Sequence, residues 1–318
     1  MTMDLATLAE LVRAPAALTV PGDTAAGGAV RPGLALSSVC LYWAGMALND
    51  YADRHLDAEE RPERPIPSGR VRPGQALGLA AGLTAAGLAA AALAGGRQAL
   101  GVATGLAAVV WAYDLALKDT AAGPLAMAAA RGLDVALGGA SLTPAGTVPG
   151  GGKGGLHAAG AVPAEGKGRL HAAGAVAAEG KGRLLAAGAV AAHTYGVTVL
   201  SRGEVGGGST ARSATALGAT ALAAGLAATH ISGAGAPARK LAGFGLVAAY
   251  AGLVGRAQLA AARDHDAGRT RAAVGQSILG VLPLQAALTA GRGHLAMAAA
   301  LTAAHPLARK LSRKVSPT

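Results

Sequence analysis

Apolar residues in this chain gather in runs of about 20, separated by short stretches rich in Arg, Gly and Pro. A run of that length crosses a hydrocarbon core of about 30 Å as one helix. The pattern predicts helices over 32–51, 74–94, 98–117, 121–143, about 183–201, 214–232, 239–262 and 272–290, with a shorter candidate at 293–308. Residues 5–30 form a weaker first span, interrupted by Pro15, Pro21 and Gly22. Unwound backbone at membrane depth needs protein or a cavity around it, so this break is expected to face a site. Gly95, Gly96 and Arg97 predict a tight turn between two spans. The expected fold is therefore all-α: a polytopic membrane bundle of nine or ten transmembrane helices, with residues 1–318 forming one domain.

Residues 152–193 break the pattern with three copies of a 14-residue unit, beginning at Gly152, Gly166 and Gly180. Fourteen residues are close to four helical turns, so an added copy lengthens a helix without much turning its faces. The third copy is expected to open the sixth span, and the earlier two to form a loop insertion or an extended hairpin. His157 and His171 then recur as passengers of the repeat rather than as ligands.

Composition agrees with a membrane setting: 52% of residues are apolar and only 14% charged. Alanine and 49 glycines fill the runs, which suits helices that pack closely through small residues. A net charge of +11 invites a nucleic-acid partner, but the basic residues are scattered between apolar runs and aromatics are 3%, so no stacking platform is present. Cytoplasmic loops, which carry an excess of Lys and Arg, account for the charge better. With the loop around 54–72 cytoplasmic, the basic clusters at 202–212 and 263–271 fall there too. Lys153, Lys167, Arg169, Lys181 and Arg183 of the repeats fall outside, against the rule. A tenth span would bring the basic tail inside, whereas nine would leave it outside. Cys40 is the only cysteine, which excludes an intrachain disulfide and a thiolate metal cluster. Met1–Arg13 carries acids and a late arginine where a signal peptide has early basic residues, so it is read as retained.

Candidate chemistry concentrates in Asn49–Arg72, which reads N-D-Y-A-D-R-H-L-D-A-E-E-R-P-E-R-P-I-P-S-G-R-V-R. If the preceding helix runs on through Asp57, then Asn49, Asp53 and Asp57 share one face, since each step of four overshoots a turn by only about 40°. Three oxygen ligands on one face suit magnesium, which one or two carboxylates hold while substrate phosphates complete its shell. A diphosphate is the matching substrate class. Arg61, Arg64, Arg70 and Arg72 can approach such an anion, and Pro62, Pro65, Pro67 and Pro73 stop the helix and stiffen the loop. Farther on, Arg131 and Asp134 stand at i, i+3 inside a predicted span, where charge is costly and is expected to face the bundle interior as a pair. Asp264, His265 and Asp266 read as a solvated turn, because alternate residues point apart on a helix and Gly268 follows.

The string N-D-x-x-D-x-x-x-D followed by R-P-x-R-P-I-P-S-G resembles the UbiA superfamily of intramembrane prenyltransferases, and the resemblance extends over most of the chain. It implies transfer of a prenyl group from a prenyl diphosphate to an acceptor that the sequence does not identify, in the lipid of a bacterial cell membrane. Magnesium would be held by Asn49, Asp53 and Asp57, with Asp50 adjacent on the substrate. Arg64 and Lys118 would add donors to the diphosphate. The Tyr113-x-x-x-x-Lys118 spacing is similar to the family's as well, where a tyrosine and a basic residue help bind the diphosphate. For Lys118 an interfacial, snorkelling lysine is the plain alternative. Arg131 is expected to take part in the site.

The superfamily presents a second acidic motif near the position of Leu200–Ser213. Here only Glu204 is acidic, beside Arg202 and a run of glycines. Arg202 could clamp a phosphate in place of a metal, with Glu204 beside the substrate; a topological arginine at the membrane face is the alternative. The departure points to an outlying branch, such as the one encoded with bacterial ebo clusters. It also keeps a second class open, a membrane protein that binds prenyl lipid or diphosphate without turnover. A transporter, with Arg131 and Asp134 marking a path, is a weaker third reading.

Overall fold

The computed structural model describes residues 4–28, 30–140, 165–204 and 207–315, and among these every regular element is a helix. The first predicted span is broken into three pieces. Helix α1 (Leu5–Leu11) is capped by Asp4, which accepts from the Thr7 amide at 2.7 Å. Arg13 then takes a left-handed conformation (φ 48°), a 3-10 turn spans Ala14–Thr19, and α2 (Pro21–Gly27) begins with a proline where the amide needs no partner. Gly22 to Gly27 are all buried, so this last piece of the broken span is enclosed by protein.

Helix α3 (Pro32–Ala52) and the short α4 (Arg54–Glu60) meet at Asp53, which ends one and begins the other. The next element, α5 (Pro73–Ala112), is a hairpin. Trp111 Nε1 donates to Thr84 Oγ1 at 3.1 Å, whereas 27 residues of straight helix would hold them about 40 Å apart. The chain reverses at Gly96 (φ 64°, ψ −157°), a region open essentially to glycine alone, which is the predicted turn. A π-helical turn, Tyr113–Leu117, ends the second arm. Helix α6 (Gly123–Gly138) is shorter at both ends than predicted.

The repeat region departs from expectation. Helix α7 (Glu165–Ser201) runs unbroken through the second and third copies, so the second copy is neither a loop nor a hairpin. Both copies are rich in Ala, with Lys and Arg, and Glu179 closes the second; all are good helix formers, and the two copies have Ala177 and Ala191 where the first has Pro163. The first copy up to Ala164, including His157, lies outside the described residues, as does the His171 side chain.

Helices α8 (Thr210–Ser232), α9 (Pro237–Asp264) and α10 (Ala267–Gly291) complete the bundle, and α11 (Leu295–Val315) packs back along α10 through Ala298, Leu301 and Ala308. Among the described residues five segments are long and apolar enough to cross a membrane: Pro73–Leu117, Ala178–Ser201, Thr210–Ser232, Pro237–Asp264 and Ala267–Gly291. Helix α10 is the most enclosed, touching α2, α7, α8, α9 and α11. Small residues let backbones meet. A Cβ on Gly138 would collide with the Thr24 carbonyl, and one on Gly27 with that of Val135, so α2 and α6 are locked in register.

Candidate active site

The end of α3 delivers Asn49 and Asp50 to one end of the bundle, and the helix does not run cleanly through Asp57. Its break at Asp53 nevertheless keeps the i to i+4 bonding: the Asp53 amide donates to the Asn49 carbonyl at 2.9 Å and the Asp57 amide to the Asp53 carbonyl at 2.8 Å. The three side chains thus stay about one turn apart, on the spacing the sequence suggested.

Each acid of the motif has a basic partner. Arg13 donates to Asp50 Oδ1 at 2.9 Å and to Asn49 Oδ1 at 3.3 Å. Arg64 donates to Asp57 Oδ2 at 2.7 Å and lies 3.5 Å from Asp50 Oδ1. Lys118 pairs with Asp53. Asn49 Nδ2 donates to Asp114 Oδ1 at 3.4 Å. The π-helical turn explains the reach of Lys118: its amide donates to the Tyr113 carbonyl five residues back at 2.9 Å, which sets the two one above the other. Arg61 is 3.9 Å from Asp57, whereas Arg70 turns away to pair with Glu10 at 2.6 Å.

Behind the motif lies a cavity of about 250 Å³. Arg13, Asn49, Tyr113 and Asp114 line it at the motif end; Leu41, Met46, Leu106 and Val110 form apolar walls; Ser38, Arg131 and Asp134 close the far end. Arg131 is thus brought to the cavity, but its ion-pair partner is Asp23 of α2 at 2.9 Å and not Asp134, which instead accepts from Ser38 Oγ at 2.7 Å. The interior pair exists with a different partner because α2 folds back into the core.

The stretch around Leu200–Ser213 sits at the same end. Arg202 Nη2 donates to the carbonyls of Lys118, at 3.1 Å, and of Thr120. Glu204 is half-buried, and burial pushes its carboxyl above the usual range while Arg271 and Arg61 pull the other way. The Gly208 amide donates to the His265 carbonyl at 3.0 Å, tying this turn to the one before α10. There Asp266 caps α10, accepting from the Arg269 amide at 2.9 Å, and Asp264 pairs with Arg269 at 3.1 Å, so this group is a charged turn. Among the described residues no three His, Cys, Asp or Glu side chains converge tightly enough to hold a metal unaided.

Sequence reasoning missed Arg13, Asp114, Asp23 and Ser38 as lining or pairing residues. Arg13 and Asp23 flank the predicted break, and Asp114 follows Tyr113 inside an apolar run; a charge at either place was the available signal.

The cavity is thus an apolar chamber between α3, α5 and α6, with paired acids and bases at its mouth. A model of the UbiA prenyltransferase family matches residues 16–159. Curated relatives include digeranylgeranylglyceryl phosphate synthase of Methanothrix thermoacetophila, 55% identical over 47 residues, which is 14% of this chain and 18% of that protein. The enzyme of the same name from Methanopyrus kandleri is 45% identical over 74 residues, 22% of this chain and 27% of that one. The matches thus span about a fifth to a quarter of those relatives. In three dimensions the chain is similar to the apo structure of a UbiA homologue from Aeropyrum pernix K1, with TM-score 0.61 and 20% identity over 86% of this chain and 96% of that one. It is also similar to a UbiA homologue from Archaeoglobus fulgidus bound to GPP and Mg2+, with TM-score 0.53 and 13% identity over 89% and 99%. The chain is thus similar to the UbiA prenyltransferase family over residues 16–159 and shares the fold of UbiA homologues.

Proposed function

We propose that this protein is a magnesium-dependent prenyltransferase that binds a prenyl diphosphate with the diphosphate at Asn49–Asp57 and the prenyl chain in the cavity. One observation carries the reading: the apolar cavity opens onto an oxygen-rich motif whose every acid faces an arginine, a lysine or an asparagine. The donor set fits magnesium. It is all oxygen, from Asn49, Asp53 and Asp57 with Asp50 beside them, and one or two carboxylates suffice for an ion whose shell substrate phosphates complete. Bound there, magnesium would neutralise charge on the leaving diphosphate.

The remaining work belongs to the side chains. Arg13, Arg64 and Lys118 are within reach of an anion at the motif and can exchange an aspartate for a phosphate oxygen. Tyr113 stands at the junction of mouth and chamber. The apolar walls hold the prenyl chain and keep water from the allylic cation until an acceptor attacks. Arg202 supports the site by holding the Lys118 turn, and Glu204 flanks the same face. Support also comes from the Archaeoglobus homologue, whose ligands are GPP and Mg2+.

The bundle is read as one domain with ten crossings, α11 returning along α10, and with the motif loops cytoplasmic by the bias of basic residues. The relatives named above are archaeal, which leaves the bacterial membrane expected from the sequence without support.

A second reading, binding without turnover, is favoured by one feature: no carboxylate other than Glu204 stands at Leu200–Ser213. Incubating the purified protein with a labelled prenyl diphosphate, magnesium and a membrane extract separates the two. Labelled lipid is the expected result; magnesium-dependent binding with no product would leave the binder.

A further inference from the structure

The far end of the cavity holds a polar centre that the diphosphate, bound at the other end, does not touch. Asp23 is wholly buried, paired with Arg131 at 2.9 Å and accepting from Gln285 Nε2 at 2.6 Å, while Ser38 holds Asp134. Arg131, Asp134 and Ser38 face the cavity. Ser38 and Asn49 mark the two ends on the same helix, and eleven residues of helix measure about 16 Å. We propose that this cluster is the floor of the prenyl channel and limits the donor to about three isoprene units, so that farnesyl is the longest chain accommodated end to end. The inference rests on the reading of the cavity as a prenyl-diphosphate site.

The length follows from the chain itself. Each isoprene unit adds four backbone bonds of about 1.5 Å, so three units in zigzag reach about 15 Å. A fourth unit would have to press methyl groups onto an ion pair and a carboxylate, stripping them of partners where no water can replace them. The floor cannot step aside. Helix α2, which carries Asp23, is in backbone contact with α6 at Gly27 and Gly138. Its other sides are pinned by Gln285 on the Thr19 carbonyl at 2.9 Å and by Arg292 on the Ala26 carbonyl at 2.8 Å. This limit would set the protein apart from relatives whose name contains geranylgeranyl.

The test is displacement of tritiated geranyl diphosphate from the full-length protein, with magnesium, by dimethylallyl, geranyl, farnesyl and geranylgeranyl diphosphates. Affinity is expected to rise about tenfold or more per unit up to farnesyl, as five apolar carbons leave water each time, and to gain less than about twofold, or to fall, from farnesyl to geranylgeranyl. Ala130→Leu, which fills the channel one turn before Asp134, should move the break down to geranyl. Asp134→Ala, which clears space while leaving the Arg131–Asp23 pair intact, should move it up. A wild-type affinity that keeps climbing through geranylgeranyl means that the chain leaves sideways and overturns the floor alone. If no prenyl diphosphate displaces the label or binds directly, the prenyl-diphosphate reading fails and takes the floor with it. Should Ala130→Leu fail to give monodisperse protein, the wild-type series and Asp134→Ala still decide.

Discussion

Lys118 shows what one residue can say about a site: a side chain read from sequence as either a phosphate donor or a snorkelling lysine is tied to Asp53 and only 15% exposed. Asp53→Asn should weaken magnesium-dependent binding of geranyl diphosphate by at least about a hundredfold while the protein stays monodisperse, since the asparagine fills the same volume. Calorimetry with and without magnesium measures this, and unchanged affinity would remove Asp53 from the site. Arg13→Ala should cost about ten- to a hundredfold in the same assay, the range for a hydrogen bond to a charged group. Arg202 belongs to a different class. Its guanidinium is engaged with two main-chain carbonyls, so Arg202→Ala should lower affinity and single-turnover rate together, by about tenfold or less, through the Lys118 turn. A rate loss far exceeding the affinity loss would instead make it a transition-state clamp.

At the scale of the element, the repeat helix gives the clearest case. Removing 166–179 takes out one whole unit of α7; the remaining helix shortens by about 21 Å and rotates by about 40°. Because the third copy still supplies the part of α7 from Gly180 to Ser201, the variant is expected to remain folded and to bind geranyl diphosphate as the parent does, with a lower helical signal in circular dichroism. Aggregation would show that the second copy is part of the bundle's support. The periodicity made α3, the hairpin turn at Gly96 and α8 to α10 legible, because apolar runs and glycine punctuation are local signals. It made α7 illegible at its start, because the repeat's Gly-Lys-Gly reads locally as a loop. The candidate site divides the same way. The motif and Lys118 lie close in sequence or on a recognisable spacing, whereas Asp23 meets Arg131 across 108 residues and no local pattern announces such a pair.

For the whole molecule the open quantity is topology, and Cys40 makes it measurable. It is the only cysteine and is buried, so an introduced cysteine can be labelled without background. With ten crossings, Ser68→Cys in the motif loop and Lys310→Cys on α11 should react with an impermeant maleimide from the same side, and Arg97→Cys from the opposite side. Labelling of Lys310→Cys together with Arg97→Cys would return the count to nine. The positive-inside bias further expects Ser68→Cys to be protected in intact cells and exposed in inverted vesicles.

The unbroken helix through the second and third copies also bears on how this chain can change over generations. Tandem stretches of coding sequence gain and lose whole units when the replicating strands slip, and in most folded proteins such an event lands in packed structure and is eliminated. Here a unit is nearly a whole number of turns and grows from the end of α7 that points away from the motif. Copy number is therefore a length polymorphism that this helix can carry with its faces nearly in phase.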